Sequence, residues 1–228
     1  MATIYLIRHG QASFGKENYD QLSERGWEQG RVLGRWLAGK VSPGAVVGGN
    51  LERHRETVEA MAGGFGALPD MLAMDGFNEF DHTAVIERYR PAWADRAVMA
   101  RDLAAFPKPA KAFQEAFVAA VQRWAGGEYD HEYPQSWPAF KARVVGALDQ
   151  LVEYADGTDV LVATSGGPIA VIVQSLLGLS DPKALALNEV IANTSVTRIL
   201  YSGPRRNLAV FNNYSHLEAE DPALVTFR

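Results

Sequence analysis

Apolar residues recur along this chain in two rhythms: short unbroken runs, and stripes at spacings of three and four. Thr3 to Ile7, Ala45 to Gly48, Met71 to Met74 and Asp159 to Thr164 are runs rich in β-branched and large apolar side chains, each ending abruptly in polar or glycine-containing sequence. Runs too short for a helix and bounded in this way predict buried strands. Between them, Ser23 as N-cap opens a predicted helix to about Gly39, with Gly26, Gly30, Leu33 and Leu37 on one face. The small residues there are expected to let the helix approach the sheet. A second helix follows Asn50 to Arg53 and runs through Ala62, with Val58, Met61 and Ala62 inward. Trp137, Phe140, Val144, Leu148, Leu151 and Ala155 form the clearest amphipathic stripe, with Gly157 as its stop. Ser165-Gly166-Gly167-Pro168 leads into a further helix through Leu179. Alternating strand, turn and helix predict an α/β domain: a mostly parallel central sheet with helices on both faces. Val196 to Tyr201 and Leu208 to Phe211, flanking Ser202-Gly203-Pro204, predict a hairpin at one sheet edge.

Between His82 and Tyr133 the rhythm changes. Phe113, Phe117, Ala120, Val121 and Trp124 recur at helical spacing, as do Met99, Leu103 and Phe106, and Pro107 and Pro109 separate the two stripes. This stretch, about 82–133, reads as a helical cap inserted over the active-site edge of one domain spanning 1–228. Its aromatics read as a packing core.

Composition adds bounds. With 228 residues, 47% of them apolar, the chain can bury a sizeable core. A net charge of −5 argues against nucleic acid or an acidic membrane as partner, but leaves small anions to local arginine and histidine. There is no cysteine, hence no disulfide or thiolate chemistry. The first apolar run has its charge after it, unlike a signal peptide. The longest apolar stretch, Pro168 to Leu179, is interrupted by Gln174 and too short to span a bilayer. A cytoplasmic protein is expected; the sequence carries no reading of oligomeric state.

Chemistry gathers where the predicted strands stop. Arg8-His9-Gly10 follows the first run, Arg53 the second, Glu79 the third, and Ser165-Gly166-Gly167 the last. In an open α/β sheet such ends share one edge, where ligands bind. Two arginines able to grip anions bidentately, with a glycine-rich helix start, suit a phosphate. His9 adds an imidazole that can serve as nucleophile or base. No group of carboxylates and histidines has metal-ligand spacing, His82 beside Asp81 coming nearest, so neither metal nor cofactor is expected.

These residues resemble the histidine phosphatase superfamily, also called the phosphoglycerate mutase-like family, over nearly the whole chain. Arg8-His9-Gly10 is similar to the family signature. Leu22-Ser23-x-x-Gly26-x-x-Gln29, Asn50-Leu51-x-Arg53-x-x-x-Thr57, Asn78-Glu79-Phe80, Asn193-Thr194-Ser195-Val196-Thr197 and His216-Leu217 resemble its later motifs, in order. The resemblance implies a phosphohydrolase acting on a small phosphomonoester without metal. His9 would form a phosphohistidine while Arg8, Arg53, Ser165 and Gly166 bind the phosphate. Glu79 would be general acid, then base, a role expected to need an apolar surround such as Phe77 and Phe80. Specificity is expected from the insertion and from the loop 11–22.

One position departs from the family pattern. Where a second histidine is usual, Thr164-Ser165-Gly166-Gly167 places Ser165, which brings no charge. His54, His82 and His216 each read first as surface residues, with His216, in its late motif, the best placed of the three to compensate; Ser165→His is expected to raise turnover. A mutase is the nearest alternative, though no adjacent arginine pair in 82–133 stands ready for a substrate carboxylate; Arg205-Arg206 lies in the terminal hairpin. A degenerate phospho-ligand-binding protein is the other, favoured by Ser165 and opposed by the retained His9 and Glu79.

Overall fold

Ala2 to Arg8 form the first strand, and six of its seven residues are buried in unbroken succession. The strand Val160–Thr164 is buried throughout. Side chains alternate between sheet faces, so continuous burial means that both faces are covered. The computed structural model describes residues 1–13 and 20–227; residues 14–19, inside the loop expected to share in specificity, and residue 228 lie outside the described residues.

Among the described residues six strands pair: β1 (Ala2–Arg8), β2 (Ala45–Gly48), β3 (Met71–Ala73), β4 (Val160–Thr164), β5 (Val196–Ser202) and β6 (Arg205–Asn213), in the order β3-β2-β4-β1-β5-β6. The first four are mutually parallel, while β5 and β6 run antiparallel at one end. The helices are α1 (Glu24–Leu37), α2 (Glu52–Phe65), α3 (His82–Tyr89), α4 (Arg96–Ala104), α5 (Pro109–Ala125), α6 (Trp137–Ala155), α7 (Gly166–Leu177), α8 (Asp181–Val190) and α9 (Ser215–Glu220). Leu33 and Leu37 of α1 and Val58 and Met61 of α2 share a buried cluster with Tyr5, Ile7, Val46, Leu161 and Ala163 of the sheet. Ile4, Leu6, Val160 and Val162 point to the other face and are equally buried, and α7 contacts β1 and β6. Among the described residues no helix is long and apolar enough to cross a membrane.

The chain divides into two compact units, Met1–Glu79 with Arg143–Arg228, and Phe80–Ala142. Within the second, Trp124 is buried among Phe80, Trp137 and Phe140 at ring separations of 4.7, 5.1 and 5.6 Å. Its indole N–H donates to Gln135 O at 2.8 Å, which satisfies its polar end.

Several boundaries differ from the sequence reading. The helix after Ser165 ends at Leu177, because Gly178 turns left-handed (φ 65°) and returns its N–H to Gln174 O. The apolar periodicity did not reveal α3, α8 or α9; Ala184 is the one fully buried residue of α8. The hairpin turn is tighter than expected, only Gly203 and Pro204 separating β5 from β6. The glycines of α1 serve another neighbour than the sheet. A methyl on Gly30 would lie 2.5 Å from Ala60 Cβ, and one on Gly34 would lie 2.1 Å from Met61 O, both in α2.

Gly34→Ala opposes two effects. Alanine favours a helix interior by about 1 kcal/mol over glycine. Overpacking against a backbone carbonyl costs roughly 1–3 kcal/mol, and here the struck atom cannot swing aside. The variant is expected to have a lower urea midpoint than wild type. A raised midpoint would show that α1 and α2 separate without cost.

Candidate active site

His9 leaves β1 at its carboxyl end, and its backbone is pinned on both sides. Its N–H donates to Thr164 O at 2.8 Å, and its C=O accepts from Asn193 Nδ2 at 3.0 Å. Gly10 N–H donates to Thr57 Oγ1 at 3.0 Å, whose hydroxyl donates to Arg53 O at 2.6 Å. Gly10 must be glycine, since a methyl there would lie 2.6 Å from Gly26 O. Thr194 holds the far side from a left-handed conformation unusual for a β-branched residue (φ 54°), donating its N–H to Arg8 O at 3.0 Å.

The buried His9 ring places Nδ1 2.7 Å from Gly10 O. A carbonyl only accepts, so Nδ1 carries the proton and the lone pair is on Nε2. The imidazole is pushed well below its usual pKa by burial first, then by the Arg53 and Arg8 guanidinium groups and by His54. It is therefore neutral at physiological pH, as a nucleophile must be.

Both arginines act on His9, and both are held by the protein. Arg8 Nη1 donates to the carbonyls of Ile191 and Phe227. Arg53, buried in the first turn of α2, pairs with Asp20 at 2.5 Å. The other Asp20 oxygen accepts from Glu52 N–H at 2.7 Å, filling the cap that Leu51 does not provide.

Ser165 is fully buried at the end of β4, one residue past the Thr164 that pairs with Arg8 in the sheet. Its Oγ lies 2.7 Å from His54 Nε2. Gly166 opens α7, where a methyl would strike Asn188 Oδ1 at 2.2 Å. Gly167 N–H donates to Glu79 Oε2 at 3.1 Å, and a methyl on Gly167 would lie 2.1 Å from Glu79 Oε1. Glu79 thus reaches the helix that Ser165 precedes. Among its neighbours are this amide and the Arg143 guanidinium, which its charge influences. The sequence did not foresee this cationic neighbour: Arg143 is drawn to this loop by three carbonyls, Asp75 O, Gly76 O and Asn78 O.

His216 is not the substitute for the missing histidine. Its ring lies 5.5 Å from Trp36 and its Nε2 3.3 Å from Thr194 Oγ1. His54 is the histidine on Ser165, with its ring 5.9 Å from that of His9. The signal for it was present: Arg53, His54 and Thr57 are polar residues on the face of α2 that carries Val58 and Met61. Because His54 fills the space, Ser165→His alone would overpack the site, and the gain expected from it is withdrawn.

A family model for the histidine phosphatase superfamily (branch 1) matches residues 4–214. A search of curated proteins by sequence found no match. Similar solved structures include a phosphoglycerate mutase from Bacillus anthracis (18% identity, 95% of each chain covered, TM-score 0.64). A phosphoserine phosphatase from Entamoeba histolytica in complex with 3-phosphoglyceric acid matches at 16% identity, covering 95% of this chain and 100% of that one (TM-score 0.64). An alpha-ribazole phosphatase from Shigella flexneri matches at 20% identity, covering 92% and 96% (TM-score 0.60). At these identities the likeness is one of fold.

The buried histidines make stability depend on pH. Burial, then Arg53, lowers His54 to about 3, and burial lowers His216 to about 4. The unfolded chain takes up these protons near pH 6.5 and the folded chain refuses them, so acid favours unfolding. Each such histidine costs about 1.4 kcal/mol per pH unit below its unfolded pKa. Urea unfolding between pH 6.5 and 5 should show a shallower loss of stability in His216→Gln than in wild type. Equal slopes would contradict the neutral state of His216.

Proposed function

The chain belongs to the histidine phosphatase superfamily, and we propose that it hydrolyses a small phosphomonoester through a phosphohistidine on His9, without a metal. His9 Nε2 attacks phosphorus in line with the ester oxygen. The P–O bond breaks, and Glu79 as acid supplies the proton to the leaving alkoxide. Glu79, now a carboxylate, takes a proton from water as the water oxygen attacks phosphorus. The P–N bond breaks, inorganic phosphate leaves, and His9 and Glu79 return to their starting states. Arg8 and Arg53 carry the negative charge of the transferring group, the role a metal has in other phosphoryl transferases. Ser165 and Gly166, at the start of α7, add donors from a helix N-terminus.

The observation that supports this reading is the bond from His9 Nδ1 to Gly10 O. It fixes the tautomer, and burial, reinforced by the nearby guanidinium groups, keeps the ring unprotonated. A histidine serving only structure has no need of both devices.

A panel of phosphomonoesters tests it. Wild type is expected to turn over at least one of them, at a rate unaffected by chelator, and His9→Ala to fall to the uncatalysed background. Arg53→Lys should lose about 10²–10³ in kcat, because an ammonium cannot reproduce the planar fork. Hydrolysis retained in His9→Ala, or restored by a divalent ion after chelation, would overturn the proposal.

A further inference from the structure

The transfer steps leave one buried pair unaccounted for. His54 directly follows Arg53 on the inner side of α2, is fully buried, and sets Nε2 2.7 Å from Ser165 Oγ. Ser165 precedes α7 but does not use its hydroxyl to cap that helix. His54 Nδ1 lies against Gly49, where a methyl would come within 2.4 Å of it, and forms no well-aligned hydrogen bond. The Gly49 backbone acts on the ring as an acceptor and favours the proton on Nδ1, whereas an anion that takes the Ser165 hydrogen favours it on Nε2, with Ser165 Oγ accepting it. A serine hydroxyl that accepts from the ring has its own hydrogen left to donate. Beside His9 the strongest acceptor for that hydrogen is an anion bound there.

We propose that His54 is a positioning residue for phosphoryl transfer: by donating Nε2–H to Ser165 Oγ, it aims the Ser165 hydroxyl at an oxygen of the phosphoryl group on its way to His9. The inference rests on the reading of His9 as nucleophile. Two residues from two elements, α2 and the end of β4, then provide the donor that the resemblance assigns to one histidine at position 165. The division has a physical consequence. His54 remains neutral through burial and the field of Arg53, so the pair adds a dipole to the site and no third cation beside His9. It also explains why Gly49 is glycine, since a side chain there would displace His54 Nδ1.

A double-mutant cycle tests the pair, using Ser165→Ala, His54→Ala and the double variant. The readouts are kcat and KM on p-nitrophenyl phosphate, the affinity for inorganic phosphate by calorimetry, and Tm. Each single variant is expected to lose about 10²-fold or more in kcat, the worth of one aimed donor. The double variant should be no slower than either single one. His54→Gln, whose amide N–H can reach Oγ, should recover at least tenfold over His54→Ala. His54→Ala combined with Ser165→His, which gathers the donor into one imidazole and vacates its space, should be faster than His54→Ala alone. Additive losses, or a His54→Ala protein that loses Tm but keeps kcat, would overturn the inference. If both alanine variants fail to fold, His54→Gln with kcat no better than His54→Asn does so too. Turnover that depends on His9 with an additive cycle would sink this inference alone. A wild type without turnover whose phosphate affinities still show the non-additive cycle would sink the hydrolase reading and support the pair. A wild type that neither turns over nor binds phosphate would sink both.

Discussion

A buried imidazole kept neutral beside two permanent cations is the constraint on which the proposed chemistry of this site depends. Burial alone would lower the pKa of His9, and Arg53 and Arg8 lower it further. Burial and positive charge thus act together here, whereas beside a carboxylate they would oppose each other. In the proposed reaction the guanidinium groups that would stabilise a phosphoryl group also add to burial in keeping its acceptor unprotonated. Holding them there needs compensation. Arg8 is tied to the carbonyls of Ile191 and Phe227, and Arg53 to Asp20. Thr57 then couples the two sides, receiving the Gly10 amide from the end of β1 and bonding to Arg53 O in α2.

The fold carries a mutase as readily as the two phosphatases among the similar structures, so the chemistry has to be argued from residues. Replacement of the usual second histidine by Ser165 suggested a weakened or degenerate site. The contact of His54 with Ser165 removes the main ground for that reading, because the imidazole is present and has only changed its element. The hydroxyl alone would be a small neutral group at the end of β4. Backed by a buried ring, it is oriented.

Legibility in the sequence followed what each residue type can do alone. β1 and β4 were plain because strands buried on both faces need unbroken apolar runs. Arg8, His9, Arg53, Glu79 and Ser165 could be placed at strand ends because topology, not side-chain contact, sets that position. Which histidine would meet Ser165 could not be read this way. His54 and His216 are both buried, and only the crossing of α2 over the end of β4 separates them. The Arg143 neighbour of Glu79 was hidden for the same reason: it is distant in sequence and arrives through the carbonyls of residues 75, 76 and 78. Short helices such as α8 and α9 bury too few residues to imprint a period.

The central claim is that the His9 lone pair on Nε2 takes the phosphoryl group. Rapid quenching of the enzyme in alkali during turnover of a good phosphomonoester substrate, followed by ³¹P NMR and peptide mapping, tests it directly. The account predicts one acid-labile phosphoryl group on the peptide containing His9, attached at Nε2, that forms and decays at rates compatible with turnover. Phosphate on Nδ1, on Ser165 or on His54, or rapid turnover with no phosphoenzyme at any time, would contradict it.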